Sequence, residues 1–358
     1  RKAMADSYAE RSRICEGLQR AGFPFGLAKL ASEDDWQVGL RIFLLDNSGS
    51  TNSPDGKKLK GETSMKMEAC TRWEEIQEFA LAQARLHRFV GNACEFMLLN
   101  PPQPREFMKF REGVDYCTID GTTESADVQL ARFERMMGDT RPHGVTPLAE
   151  RLREIGARLT QYKPKGVGQR VVVVMVTDGE PTNAGMTMPT PASRNEVVEE
   201  LRKLGNSHAL SLVVRLATNE DHVVRWYNQI DKEVEFSYDV IDDIEAEAQE
   251  ALQCGNGFVT YSQLIHSLRS CGTEVKLLDK IDEKKLAPLE VMNLVEGMLR
   301  QSEGDPQLPR DVVDFMKASQ SKIKKMKKVY NPLTKKMSEP INLSQLKKAL
   351  GVKSGPCI

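Results

Sequence analysis

Val171-Val172-Val173-Val174-Met175-Val176-Thr177-Asp178-Gly179 is the stretch on which the fold turns. No side chain from 171 to 176 is polar. A strand with one wet face alternates apolar and polar residues. This run does not, so it reads as an interior strand of a parallel sheet covered on both faces. Leu40-Arg41-Ile42-Phe43-Leu44-Leu45 is a second short, mostly apolar run, and it leads into Asp46-Asn47-Ser48-Gly49-Ser50. Each run thus ends at an aspartate. Ligands of open α/β sheets gather outside the carboxyl ends of the strands, which makes Asp46 and Asp178 candidates for a site.

Outward from these runs, strands and helices alternate. Helical spacing is visible at Trp73, Ile76, Ala80 and Ala84, and again at Leu148, Leu152, Ile155, Leu159 and Tyr162. Further helices are expected around Val197, Leu201 and Leu204 and around Val223, Tyr227 and Ile230. Strands are expected at Cys94–Leu99, Val114–Ile119, Ser211–Ala217 and Phe236–Ile241. Such alternation predicts an α/β fold with a doubly wound, mainly parallel sheet flanked by helices. Residues 1–36 read as an N-terminal extension with a turn at Ala21–Gly26. Residues 251–310 read as a helical C-terminal extension, with Ile265 and Leu268 on one face and Leu289, Met292, Val295 and Leu299 on another.

Length and composition set limits. A chain of 358 residues is long for one average domain, so two domains or one domain with extensions are expected. With 40% apolar and 28% charged residues the composition is that of a soluble globular protein rather than a disordered one. No apolar stretch approaches the roughly 18–20 residues of a membrane span, and no charged-then-apolar leader opens the chain. A cytoplasmic location is expected, with an organelle address left open because the chain starts at Arg1. The seven cysteines are scattered and form no C-x-x-C pair, which argues against zinc and redox sites. Free thiols suit a reducing compartment.

The net charge of −1 hides a polarised chain: residues 317–358 hold eleven lysines and one acid, a local balance of +10, leaving −11 for the rest. Val312, Phe315, Met316, Ile323, Met326 and Tyr330 lie at helical spacing among these lysines, so 311–358 is expected to be a basic amphipathic tail with a helix over 311–330. Such a tail suits an acidic surface on this chain, a neighbouring subunit or another protein. Nucleic acid or an anionic membrane fits less well, because lysine without arginine supplies charge rather than bidentate reading of phosphate or base.

Asp46, Ser48, Ser50, Thr146 and Asp178 offer oxygen only, which suits a hard divalent cation. Two carboxylates and three hydroxyls favour Mg2+ with retained waters; Mn2+ or Ca2+ would also accept these donors. Asp46-x-Ser48-x-Ser50, Thr146 in Gly144-Val145-Thr146-Pro147-Leu148, and Asp178 in Thr177-Asp178-Gly179 resemble the metal-ion-dependent adhesion site of von Willebrand factor A domains. The resemblance covers residues 38–245 and implies a domain over 37–250. It implies that Ser48 and Ser50 bind the metal directly and that Thr146 binds it directly or through water. Asp46 and Asp178 would bind it or hold its waters, and an open position would accept a partner's Glu or Asp.

Two features depart from the family. Thr51–Thr71 separates the serines from the Trp73 helix, and is expected as a disordered surface insertion, the alternatives being a cover or gate for the site or a wider contact surface. Val145 and Pro147 flank Thr146, which restricts movement of that loop. The same residues admit a metal-free alternative, because Ser and Thr after a strand cap helices and Asp-Gly is a common turn. Glu180, Asn183 and His143 lie near the motif in sequence, where turn or surface roles are the plainer reading.

The expectation is a metal-dependent protein-interaction module, not an enzyme, with no small-molecule substrate. Two alternatives stay open: a scaffold subunit anchored by its basic tail, and a magnesium-dependent phosphohydrolase. The second lacks its general acid, because Ser48 stands where a second aspartate would be needed.

Overall fold

The computed structural model describes residues 2–60, 66–163, 168–183 and 185–352. Two helices, α1 (Lys2–Arg20) and α2 (Phe25–Asp35), precede the first strand, β1 (Val38–Leu45). A hairpin, β2 (Gly56–Lys60) and β3 (Lys66–Cys70), then leads into α3 (Arg72–Val90). The chain continues through β4 (Ala93–Leu98), β5 (Tyr116–Ile119), α4 (Ala126–Asp139) and α5 (Leu148–Leu159). Next come β6 (Arg170–Thr177), α6 (Pro191–Ser207), β7 (Leu210–Leu216), α7 (Asp221–Ile230) and β8 (Ser237–Ile241). Beyond the sheet lie α8 (Ile244–Gln253), α9 (Gln263–Ser270), α10 (Pro288–Met298) and α11 (Val312–Ile323), then a small hairpin of β9 (Val329–Asn331) and β10 (Lys336–Ser338), and α12 (Leu343–Ala349).

Six strands form one sheet in the order β5-β4-β1-β6-β7-β8, parallel except for β5, which runs antiparallel to β4. The fold is therefore α/β, with a mostly parallel central sheet flanked by helices. The unbroken apolar run of β6 has a direct cause. Val171, Val173 and Met175 pack with Leu152, Ile155, Leu201 and Tyr227 of the helices on one face. Val172, Val174 and Val176 pack with Trp73, Ile76 and Phe133 on the other. Phe96 stacks between Phe43 and Phe133, with ring centroids 4.6 and 4.3 Å apart, a geometry that adds to simple burial.

From β1 the chain moves to β4 on one side, and from β6 to β7 on the other. The crevice above β1 and β6 is therefore a topological switch point, where open α/β sheets bind ligands.

A third apolar cluster joins both ends of the chain. Ile14, Leu18 and Leu27 meet Phe258, Ile265, Val295, Phe315, Ile323, Ile341 and Leu346 there. The segments read as an N-terminal extension, a helical extension and a basic tail thus contribute to one packed body. The expected boundary between 250 and 251 falls inside α8.

Three local expectations need correction. The helix expected over 311–330 stops at Ile323, and Tyr330 lies in β9, buried. Lys324, Lys325, Lys327 and Lys328 would bring like charges together at i,i+3 and i,i+4, which disfavours helix. The Asn331 side chain instead accepts from Leu333 and Thr334 to form a turn. Leu289, expected on the buried face of α10, is 60% exposed, and Val291 and Leu294 are buried in its place. The insertion at 51–71 is an ordered hairpin over its described part, while 61–65 lie outside the described residues.

Candidate metal centre at the carboxyl ends of the central strands

Asp46 extends the sheet by one rung, its amide donating to the Val176 carbonyl at 2.9 Å. Its carboxylate is committed at both oxygens: Oδ1 accepts from the Ser48 amide at 2.8 Å and Oδ2 from the Thr177 hydroxyl at 2.6 Å. The chain then turns through a short 3-10 helix, Gly49–Asn52, with Ser48 at its N-cap position. Ser48 makes no side-chain cap bond there. Its hydroxyl lies 2.9 Å from that of Ser50, and Ser50 Oγ donates to Asp178 Oδ1 at 2.9 Å. Asp46, Ser48 and Asp178 are each 1% exposed.

Thr146 joins this group through its loop. Gly49 donates to the Gly144 carbonyl at 3.1 Å, and Asn100 Nδ2 donates to the Val145 carbonyl at 2.7 Å. Gly144 has a φ of +76°, and a Cβ there would come 3.0 Å from Asn100 Oδ1, so only glycine suits this approach. Thr146 is held on both sides by Thr182: its amide donates to Thr182 Oγ1 and its carbonyl accepts from the Thr182 amide, each at 2.9 Å. A Cβ on Gly179 would lie 4.0 Å from Thr146 Oγ1, which places that hydroxyl beside the residue that follows Asp178. No described residue hydrogen-bonds the Thr146 hydroxyl.

All five sequence-derived candidates therefore converge above β1 and β6. Their chemistry fits a hard divalent cation: every donor is oxygen, and the serine hydroxyls bond to one another and to Asp178 rather than to helix backbone. Burial, and then the charge of Asp46, push Asp178 up to about 7. Burial raises Asp46 as well, against the hydrogen bonds from Thr177 and Ser48. Two buried like charges with raised pKa values form a centre that a cation would relieve.

The other sequence candidates play different parts. Glu180 is buried; its Oε2 pairs with Arg194 on α6, while its Oε1 has no hydrogen-bond partner among the described residues. His143 is exposed and contributes its backbone amide to the Asn47 carbonyl at 2.8 Å. Asn183 is half-buried, and its carbonyl accepts from Met186 at 3.0 Å.

Several residues of the centre were not singled out from the sequence. Asn47 and Asn100 clamp two loops, Asn47 Nδ2 donating to the Asn100 carbonyl and Asn100 N donating to Asn47 Oδ1, both at 2.8 Å. Arg72, 5% exposed, donates through Nη1 to Asp178 Oδ2 at 3.2 Å. It also reaches Asp55 with Nε and Nη2 at 2.7 Å each, and Glu220 at 2.8 Å. The capping box of Thr71 and Glu74 fixes the start of α3 and hence the place of Arg72. The pattern Thr71-x-x-Glu74 is legible in the sequence, but nothing in it points at Asp178.

A second acidic group lies elsewhere, where Glu247, Glu250 and Asp282 have ligand atoms within 4.8 Å of one another. Arg269 already pairs with Glu247 at 2.5 Å and with Asp282 at 2.6 Å, and serves as its counter-ion. Among the described residues no helix is long and apolar enough to cross a membrane. In comparison with known proteins, the chain matches no family model and no curated protein.

Proposed function

We propose that this chain is a von Willebrand factor A-type interaction module that captures an acidic side chain of a partner protein through a divalent cation. Asp46, Ser48, Ser50, Thr146 and Asp178 would hold the cation, with Mg2+ expected and Mn2+ or Ca2+ as substitutes. When bound, the cation supplies a Lewis-acidic position that is open to a carboxylate. The observation that carries the reading is the convergence of five oxygen side chains at the switch point, with the Thr146 hydroxyl free of described partners. The chain's own groups set the rest: Thr177 and the Ser48 amide orient Asp46, and Thr182 fixes the Thr146 backbone. The elements after β8 would form the module's C-terminal extension. In this reading the Ser50 hydroxyl and the Asp178 carboxylate hold the cation and carry no catalysis, so the module is not an enzyme, and its place is the cytoplasm.

Asp46→Ala tests the proposal. Calorimetry should show Mg2+ binding to the parent chain and loss of at least about tenfold in affinity in the variant, since one of two carboxylates is gone. Capture of a partner should be lost in parallel, and should be lost in chelator. Unchanged metal binding and capture in Asp46→Ala would sink the proposal.

One observation favours a second reading, a scaffold subunit anchored electrostatically. Lys324, Lys325, Lys327, Lys328, Lys335, Lys336, Lys347 and Lys348 are all exposed, while the apolar residues among them are turned into the core. A partner retained in chelator but released by salt would favour it.

A further inference from the structure

Arg72 gives the centre a fixed positive charge that the five-residue motif does not contain. It divides Asp178 in two: Oδ1 faces the Ser50 hydroxyl at 2.9 Å, and Oδ2 faces the Arg72 guanidinium at 3.2 Å. Both partners of this ion pair are largely shielded from bulk water, with side-chain exposures of 0% for Asp178 and 6% for Arg72. The other two carboxylates on Arg72 are different. Asp55 and Glu220 are 57% and 46% exposed, so water and salt screen them. The interaction that counts most at the centre is therefore between Arg72 and Asp178, in the least polarisable surroundings.

The anchoring also draws on segments outside the five-residue motif. Asp55 belongs to the segment that separates the serine motif from α3, and Glu220 is the residue before α7. Asp55 grips the guanidinium with two hydrogen bonds of 2.7 Å, a fork geometry that suits arginine and not lysine. Ser53 accepts from the Arg72 amide at 3.0 Å, which ties the same segment to the backbone of α3. The insertion before β2 thus has a role besides enlarging the surface: it holds Arg72 against Asp178.

We propose that Arg72 is a built-in counter-ion that competes with the divalent cation for the charge of Asp178, and that it sets cation affinity low until a partner's carboxylate arrives. This rests on the reading of the centre as a cation site. With Arg72 in place, the buried charge of Asp46, Asp178 and Arg72 together is −1 instead of −2. A cation there is under-neutralised, and an incoming carboxylate supplies what is missing. Cation and acidic partner then bind cooperatively, each raising the affinity for the other by the same factor.

The test is calorimetric titration of Mn2+ and Mg2+ into the full chain, with and without an acidic peptide or acetate as the carboxylate. It is done at pH 8.5 to limit competition by protons. Arg72→Gln should bind the cation at least about tenfold more tightly than the parent, and the carboxylate should add less to its affinity. Arg72→Lys keeps the charge although it loses the fork on Asp55, and should bind the cation less tightly than Arg72→Gln, which separates charge from a general loosening of the fold. The Mn2+-induced rise in melting temperature gives a second readout on the same variants. Equal or weaker cation binding in Arg72→Gln overturns the counter-ion role and leaves Arg72 as a group that keeps Asp178 ionised. If neither the parent nor Arg72→Gln binds either cation, the reading of the centre as a cation site falls, and this inference falls with it. Binding by Arg72→Gln alone supports the competition directly.

Discussion

His87 in α3 is 1% exposed, and neither of its ring nitrogens has a hydrogen-bond partner among the described residues. Burial, and then the positive charge of Arg41, pull it down to about 3, against the opposing pull of Asp35. The folded pKa lies below the unfolded value of about 6.5. Between about 6.5 and 3 the unfolded chain binds a proton that the folded chain refuses, so stability falls as pH falls through that window. The slope for one histidine is at most about 1.4 kcal/mol per pH unit. His87→Phe, which keeps the contact with the Phe43 ring 5.9 Å away, should lose about 2 kcal/mol less than the parent between pH 7 and pH 5. Urea midpoints at the two pH values measure it, and an identical pH dependence in both proteins would refute it. Legibility differs among residues at this scale. Asp46, Ser48, Ser50, Thr146 and Asp178 stand out by residue type and by their places after apolar runs. Arg72 does not, because its link to Asp178 spans 106 positions and depends on where α3 begins.

Among the elements, β1 shows how an average over a strand misleads. The run Leu40–Leu45 reads as apolar, yet it contains Arg41, which is fully buried. Arg41 pairs with Asp35 of α2 and donates to the Cys271 carbonyl at 2.9 Å and the Thr273 hydroxyl at 3.1 Å. One side chain thus binds the sheet to the helices before and after it. Asp35 in turn accepts from Thr273 at 2.7 Å, and Arg41 holds it in the charged form below the usual carboxylate range, against burial. Removing one partner of such a pair leaves a buried charge uncompensated. Arg41→Met should therefore cost about 3–5 kcal/mol, read from guanidinium unfolding, and adding Asp35→Leu should restore part of it. A cost below about 1 kcal/mol would mean that the pair is solvated in solution. Most strands and helices of the alternating region were legible because apolar spacing reports burial directly, but α4 was not singled out, and Tyr162 lies three residues beyond the end of α5. The helix expected over 311–330 was not legible, because spacing counts apolar positions and ignores repulsion among the lysines between them.

The whole molecule poses the question of how separable its ends are. Composition shifts at about 310 suggested a tail, since lysine dominates from 317 onward. The structure turns that segment's apolar residues inward: Phe315, Ile323 and Leu346 are fully buried, and Tyr330 and Ile341 nearly so. Ile341 pairs with Val259 in an isolated bridge, and the Asn342 amide donates to the Phe258 carbonyl at 2.8 Å. Charge patterning made the exposed lysines legible but not the packed face beneath them, because that face combines α11, the β9–β10 hairpin and α12 with residues from both ends of the chain. Each such side chain contributes roughly 1.5–3 kcal/mol on burial, so five of them rival the whole stability of an ordinary domain, about 5–15 kcal/mol. Deleting 311–358 should therefore not trim a tail from an intact module. It should uncover Leu27, Phe258, Ile265 and Val295, and give a chain that binds a hydrophobic dye and aggregates. Substituting only the exposed Lys324, Lys325, Lys327 and Lys328 by glutamine should leave the melting temperature within a few degrees. A soluble, cooperatively melting chain after the deletion would show that the central sheet and its flanking helices stand without the terminal cluster. A large fall in melting temperature for the glutamine variant would instead place stabilising contacts on the lysine face.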